Sequence, residues 1–332
     1  VNRGGTFGPS PEFLANVVSL RPHRSTPHGI RTIEENVMRI RPRMMLPAAL
    51  AVGALMLGAC GSDSEGADDS SNDSGSDASS AEFTVTETFP TGEQYGFAVT
   101  QENTALLAAL DSALATAIDD GSYEAAYTKW FGDDTAPTIT AAPGAADTPP
   151  SLDGVTLVED GTLTVCSDMP YQPFEFEEDG ETTGFDYDVV SAMADQLGVE
   201  VSFVTTPFDS IIPALVAGNC DMIASAMTIT PERAEQVSFT QPYFDADQSL
   251  LVLAENAEEF ATLDDLAGKT IGVQVETTGA SYAEENLPDG ATIKEFQTGD
   301  EMFPALIAGE IDAALQDLPV NAYRAATSSG SN

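Results

Sequence analysis

The chain has 332 residues, with 12 Lys and Arg against 54 Asp and Glu, a formal net charge of −42 at neutral pH, two His, three Cys and one Trp. A polyanion of that strength is repelled by nucleic acid and by anionic lipid, so nucleic acid is not expected as a partner. Both histidines, His23 and His28, lie upstream of Cys60 in a stretch read below as removed, which excludes Ser-His-Asp triads, His-ligated metals and imidazole acid–base chemistry from the mature chain; no metal or cofactor is expected.

In chain order, residues 1–37 show no periodicity and precede a better start at Met38, so they read as an unstructured leader or a misassigned start. Residues 38–60 carry Arg39, Arg41 and Arg43 and then an apolar run from Met44 to Leu57 that is too short to span a bilayer comfortably. This is the pattern of an export signal. Its end, Leu57-Gly58-Ala59-Cys60, resembles the lipobox of bacterial lipoprotein signals, in which cleavage leaves the cysteine to carry diacylglycerol. The alternative is a buried helix with a chance LGAC, and the basic flank before and polar flank after favour export. Residues 61–82 are a Ser/Asp/Gly tract that cannot bury enough surface to order itself. They read as an acidic tether with a reach of roughly 25 Å root-mean-square.

Two folded stretches follow, 83–132 and 158–332, separated by a Pro/Ala/Thr/Gly-rich linker at 133–157 for which no fixed structure is expected. In the first, Leu106, Leu107, Leu110, Leu114 and Ile118 predict a helix from Asn103 or Thr104 with Gly121 as its stop. A second helix with Ser122 as N-cap places Tyr123, Ala126, Tyr127 and Trp130 on one face. The second stretch alternates elements: LTVCS, a helix through Val189 and Met193 stopped by Gly198, VSFVT, a helix from about Ser210, and CDMIAS. Later come SLLVLAE, TIGVQVE, a helix from about Thr278, another around Met302–Ala308, and IDAALQD. Such alternation predicts an α/β fold of parallel sheets covered by helices, with ligands beyond the carboxyl ends of the strands. Those ends hold Ser167 and Asp168, Ser225 to Thr228, Glu276 to Thr278, and Asp317, a polar set suited to a small polar ligand.

The pieces LTVCSDMPYQPFEF, GFDYDVVSAMADQLG, CDMIASAMTITPERAEQVSFTQPYF, DLAGKTIGVQVETTG, AGEIDAALQD, EQYGFAV and DGSYEAAYTKWFG together resemble the family 3 bacterial solute-binding proteins, the amino-acid receptors of ABC importers. The resemblance implies a two-lobed periplasmic-binding-protein-like fold of type II, each lobe a mostly parallel sheet covered by helices. The order differs from the family's. The segment EQYGFAV to TKWFG, which closes the family's domain, here precedes the strand LTVCS that opens it. The chain therefore looks circularly permuted, with 83–132 as the C-terminal-type segment and 158–332 as the N-terminal and middle segments of the same domain. The rival is a remnant of two tandem domains; that each expected element occurs once favours permutation. The two strands that cross between lobes map to about Gln248–Leu253 and Tyr95–Val99, and the new ends fall in the second lobe.

An amino-acid ligand brings a carboxylate and an ammonium that must both be paired when desolvated. Arg233 lies in Thr228-Ile229-Thr230-Pro231-Glu232-Arg233, with Thr230 as N-cap and Pro231 as first helical residue, so a guanidinium fork stands at a helix start where it can hold a carboxylate. The bland reading is a surface pair with one of the many acids. By the resemblance, Thr278 closes on the same carboxylate from the second lobe, although it can equally be a plain N-cap. Asp317 corresponds to the acceptor for the α-ammonium, with a solvated charge as its bland reading. Ser225 and Thr228 add hydroxyl and carbonyl contacts or are turn formers; Tyr171 and Phe208 match the aromatic positions that sandwich the ligand side chain or are core. Asp168 corresponds to a carboxylate that in some relatives faces a basic side chain. Besides Arg233, the chain after Cys60 has only Lys129, Lys269, Lys294 and Arg324 as basic residues, so a second ligand carboxylate is disfavoured and basic or neutral polar amino acids are expected.

Gly268-Lys269-Thr270 lacks the upstream glycine of a phosphate loop, since position 263 is Leu. Cys166 and Cys220 are expected on neighbouring strands and are either a disulfide or two separate buried thiols. The resemblance thus implies a receptor lipid-anchored through Cys60 on the outer face of the cell membrane, binding an amino acid between two lobes and docking on an ABC permease. The alternative is an enzyme on the same scaffold, a cyclohexadienyl dehydratase-like lyase.

Overall fold

The computed structural model describes residues 81–132 and 149–328, all within one compact unit. The expectations for the leader, the signal segment, Cys60, the tether up to residue 80 and the linker up to residue 148 lie outside the described residues.

The chain enters as β1 (Phe83–Tyr95), passes through Gly96 and Phe97 into β2 (Ala98–Thr100), and continues into α1 (Thr104–Asp119) and α2 (Ser122–Phe131). Asn103 caps α1 by accepting from the Leu106 N–H at 3.2 Å, and Gly121, at φ 86°, ends it. The cap of α2 differs from expectation. Gly121 holds that position and Ser122 is the first helical residue, its N–H donating to the Asp120 carboxylate. After the linker come β3 (Thr162–Ser167), the hairpin β4 (Phe176–Glu178) and β5 (Glu181–Thr183), α3 (Phe185–Leu197), β6 (Glu200–Thr205), α4 (Phe208–Val216), β7 (Met222–Ile223), α5 (Pro231–Ala234) and β8 (Val237–Phe239). Then follow β9 (Phe244–Leu253), β10 (Thr270–Gln274), α6 (Thr278–Glu285), β11 (Thr292–Phe296), α7 (Met302–Ile307), β12 (Ala313–Asp317) and α8 (Leu318–Ser328).

Among the described residues two five-stranded sheets form, one per lobe: β6-β3-β7-β2-β8 in the first and β1-β9-β12-β10-β11 in the second. They are mixed, with as many antiparallel as parallel neighbours, where mostly parallel sheets were expected. β3 runs parallel to β6 and β7, and β10 parallel to β11 and β12, but β9 is antiparallel to β12 and β1, and β2 is antiparallel to β7 and β8. The antiparallel members flank the two crossings between lobes, so they enter their sheets without a helical crossover. One crossing is Gly96-Phe97, within the expected Tyr95–Val99. The other is Thr240–Tyr243, upstream of the expected Gln248–Leu253, which lies inside the second sheet. The crossings bond to each other through Thr240 N–H to Phe97 O at 2.8 Å and Tyr243 N–H to Tyr95 O at 2.9 Å. Gly96 is needed here because a Cβ would meet the Ile229 side chain at 2.9 Å.

A single apolar cluster runs from Phe83, Tyr95, Leu106 and Tyr123 through Leu163, Phe174 and Val190 to Phe303 and Val320, so 83–131 and 162–328 share one core. Residues 149–157 depart from the structureless expectation: Leu152, Val155 and Leu157 pack on this core, because three apolar side chains in nine residues gain more from burial than the segment loses by ordering. Cys166 on β3 and Cys220, two residues before β7, form a disulfide with Cα atoms 5.7 Å apart.

Candidate functional site

The carboxyl ends of β3, β10 and β12 and the loop after β7 converge on one cleft between the lobes. All eight side chains singled out from the sequence line it: Asp168, Tyr171, Phe208, Ser225, Thr228, Arg233, Thr278 and Asp317. Ala226, Gln274 and Thr277 line it as well.

Arg233 stands where the Thr-Pro-Glu-Arg pattern puts it, on a one-turn helix whose Thr230 hydroxyl accepts from the Arg233 N–H at 3.2 Å. Its Nη1 donates to the Thr228 carbonyl at 2.8 Å and its Nη2 crosses the cleft to the Glu276 carbonyl at 3.0 Å. The guanidinium lies 5.1 Å from the centre of the Phe208 ring, a cation–π contact that fixes its plane. Burial lowers the Arg233 pKa, and the charges of Asp317, Glu93 and Glu276 oppose that. Ala226, which lines the cleft, at φ 42°, and Glu276, whose carbonyl accepts from Arg233, at φ 59°, are both non-glycine residues in the left-handed region. Such strain persists only where surroundings over-determine it. Here the Ala226 N–H is held by the buried Asp186 carboxylate at 3.0 Å, which also accepts from the Tyr243 hydroxyl.

Asp317, ending β12, accepts from Tyr95 and Gln248 at 2.5 Å each and from Tyr171 at 2.8 Å. Burial pushes its pKa up to about 6, the charge of Glu93 adds to that, and the three hydrogen bonds resist it. Asp168, just past β3, accepts from Gln274 Nε2 of the other lobe at 2.6 Å. Burial likewise pushes its pKa to about 6, against the Gln274 bond and aided by Asp209. Ser225 faces inward more than expected: its hydroxyl donates to the fully buried Glu175 at 2.9 Å and accepts the Asp168 N–H at 3.0 Å, so it braces the wall. Desolvation and the neighbouring Asp186 raise the Glu175 pKa. Thr278 is not the cap of α6. Thr277 is, accepting from the Ala280 N–H at 3.1 Å, so the Thr278 hydroxyl is not used by the cap and faces the cleft.

Three participants escape a reading of the sequence. Glu93 on β1 accepts from the Thr228 hydroxyl at 2.7 Å, the Thr278 hydroxyl at 2.6 Å and Gln248 Nε2 at 3.0 Å. Gln248 bridges Glu93 to Asp317, and Gln274 pairs with Asp168. Their signal is faint, because Gln248 and Gln274 lie within strands and Glu93 stands two residues before Tyr95 in an ordinary strand pattern.

Two α/β lobes joined by paired crossings, with a guanidinium, two carboxylates and aromatic faces in the cleft between them, define a two-lobed binding protein of the type II periplasmic architecture. The chain belongs to the bacterial extracellular solute-binding proteins, family 3, whose model matches residues 163–262. It is 38% identical over 159 residues to the probable histidine-binding protein of Campylobacter jejuni and 36% identical over 157 residues to the histidine-binding periplasmic protein of Escherichia coli. Each match covers 47% of this chain and 60% of the relative's length. Among solved structures, an ancestral amino acid-binding protein described as a precursor of cyclohexadienyl dehydratase is similar with 43% identity and a TM-score of 0.50, over 53% of this chain and 78% of that one. Among the described residues no helix is long and apolar enough to cross a membrane, and no cluster of three or more His, Cys, Asp or Glu is arranged to hold a metal.

Proposed function

We propose that this protein is the substrate-binding component of an ABC importer for amino acids, selecting basic or neutral polar ones, lipid-anchored through Cys60 on the outer face of the membrane. The observation that carries the reading is the charge layout of the cleft. Arg233 faces the space between Thr228 and Thr278, where a carboxylate is paired, and Asp317 and Asp168 supply acceptors for an ammonium and for a cationic or polar side chain. Among the described residues that line this cleft Arg233 alone is cationic, so a ligand with a second carboxylate leaves one anion unpaired beside Asp168 or Asp317, at a cost of several kcal/mol. The names of the relatives, histidine-binding among them, agree with that preference.

The same reading includes permuted order. β1 pairs along its length with β9, β2 pairs with β7 and β8, and the Phe83 N–H donates to the Ser328 hydroxyl at 3.1 Å. Two segments distant in sequence thus meet within hydrogen-bond distance, as a domain rejoined elsewhere requires. Thermal melting of the purified protein against the twenty amino acids tests the function: basic or neutral polar ligands raise the melting temperature by binding the native state, and no rise with any of them refutes the assignment.

A further inference from the structure

The hydroxyls of Thr228 and Thr278 stand on opposite lobes with their oxygens 3.5 Å apart. Each hydroxyl has one proton, and both are given to the same atom, Glu93 Oε2. The other oxygen, Oε1, accepts from Gln248 Nε2 at 3.0 Å and from the Thr91 hydroxyl at 2.9 Å. A protein carboxylate therefore rests, with four donors, between the two hydroxyls that a ligand carboxylate would use.

This placement is built into β1. Between Phe89 and Glu93 the strand advances four residues while β9 advances two, from Gln248 to Ala246. The bulge turns at Gly92, at φ 66°, whose N–H is tied to the Asp247 carboxylate at 3.1 Å. Bulges re-aim side chains, and this one sends Glu93 toward the other lobe.

We propose that Glu93 is a specificity-determining residue that occupies the carboxylate subsite as an internal anion, clasps the two lobes, and must be displaced before a ligand's α-carboxylate can bind. The proposal deepens the amino-acid reading and rests on it. A clasp of this kind lowers the apparent affinity by the fraction of molecules in which Glu93 has swung away. The cost of opening falls on every ligand alike, and repulsion between Glu93 and an incoming anion adds to it for a ligand carrying an α-carboxylate but not for its α-amide analogue.

The test compares the full chain with Glu93→Gln, which keeps the shape and removes the charge, and Glu93→Ala, which removes the acceptor. Calorimetric titration uses L-arginine and L-argininamide, and L-histidine and L-histidinamide. Loss of the internal anion tightens the acids about tenfold more than the amides. Equal or weaker binding of the acids by both variants, or parallel changes for acid and amide, overturns the proposal. Solution scattering of the same proteins without ligand reads the clasp independently: the wild type is compact, and both variants expand as the lobes part. An unchanged radius of gyration overturns it as well. If no probe binds wild type or variant, the amino-acid reading fails, and the scattering result alone decides whether Glu93 holds the lobes together. Near-ultraviolet circular dichroism confirms that each variant is folded.

Discussion

Replacing Arg233 by Ala removes the cation to which the proposed ligand carboxylate binds. Truncating one partner of a hydrogen-bonded charge pair costs about 2–5 kcal/mol, depending on how far the pair is desolvated. Arg233 is half-buried and retains access to solvent beside Thr228 and Glu276, so the lower part of that range applies. The expected loss is about 2–3 kcal/mol, which raises Kd roughly 30- to 150-fold. The cost to stability is modest, because α5 buries no residue and the lost contacts are two bonds to carbonyls and the stack on Phe208, together worth about 1.5–3 kcal/mol at a partly exposed site. Arg233→Lys keeps a charge but cannot reach both carbonyls and also fork a carboxylate, so it should fall between wild type and Ala. Isothermal titration with the best amino acid from the melting screen, alongside urea unfolding, measures both quantities. Affinity within twofold of wild type in a folded Ala variant would refute the role given to this guanidinium.

The remaining expectations concern pH, the disulfide and one glycine. Burial sets the pKa of both Asp168 and Asp317 at about 6, and a bound ammonium favours their charged forms. Affinity for a basic amino acid should therefore be full above about pH 7 and fall as pH drops through 6, by up to about tenfold per pH unit for each group; titrations at pH 7.5, 6 and 5 that give equal Kd values contradict this. The Cys166–Cys220 bridge closes a loop of 54 residues, which in the chain-entropy picture stabilises the fold by at most about 4 kcal/mol. Cys220→Ser should shift the denaturation midpoint down accordingly, and an unshifted midpoint would show that the bond is absent or without effect. Gly184 sits at φ 130° with its Cβ position directed into the Phe174 carbonyl, so Gly184→Ala should destabilise by about 3 kcal/mol or more, measured by urea unfolding.

Residues whose role is fixed by local chain signals are legible in the amino-acid sequence. The Thr230-Pro231 start positions Arg233, Gly198 and Gly121 end their helices, and strand-end polarity picks out Asp168 and Asp317. What depends on long-range register is not legible. Glu93 points into the cleft because of a bulge whose size is defined only by the pairing of β1 with β9. Strand direction is hidden for the same reason: β2 and β9 take their direction from the crossings they border, and no periodicity in GFAVT or SLLVLAE distinguishes a parallel neighbour from an antiparallel one. The order of 149–157 is masked because composition averages its Leu152, Val155 and Leu157 into a Pro/Ala-rich stretch.

The proposed permutation has a mechanical consequence that follows from where β1 lies. Hinge motion between the lobes needs both crossings intact, and Gly96-Phe97 and Thr240–Tyr243 are each continuous chain, so the order in which segments are translated leaves the hinge as it is in an unpermuted domain. What changes is the route from the proposed anchor. The acidic stretch expected to be the tether runs directly into β1, an edge strand of the second lobe, and ten residues later the same strand aims Glu93 at Thr228 and Thr278. Edge strands are held on one side only, and β1 depends on β9 and on packing by α8. If that stretch is a tether, a load on it reaches the strand carrying Glu93 before it reaches the rest of the domain. In the family's usual order that strand lies near the end of the domain, far along the chain from the membrane.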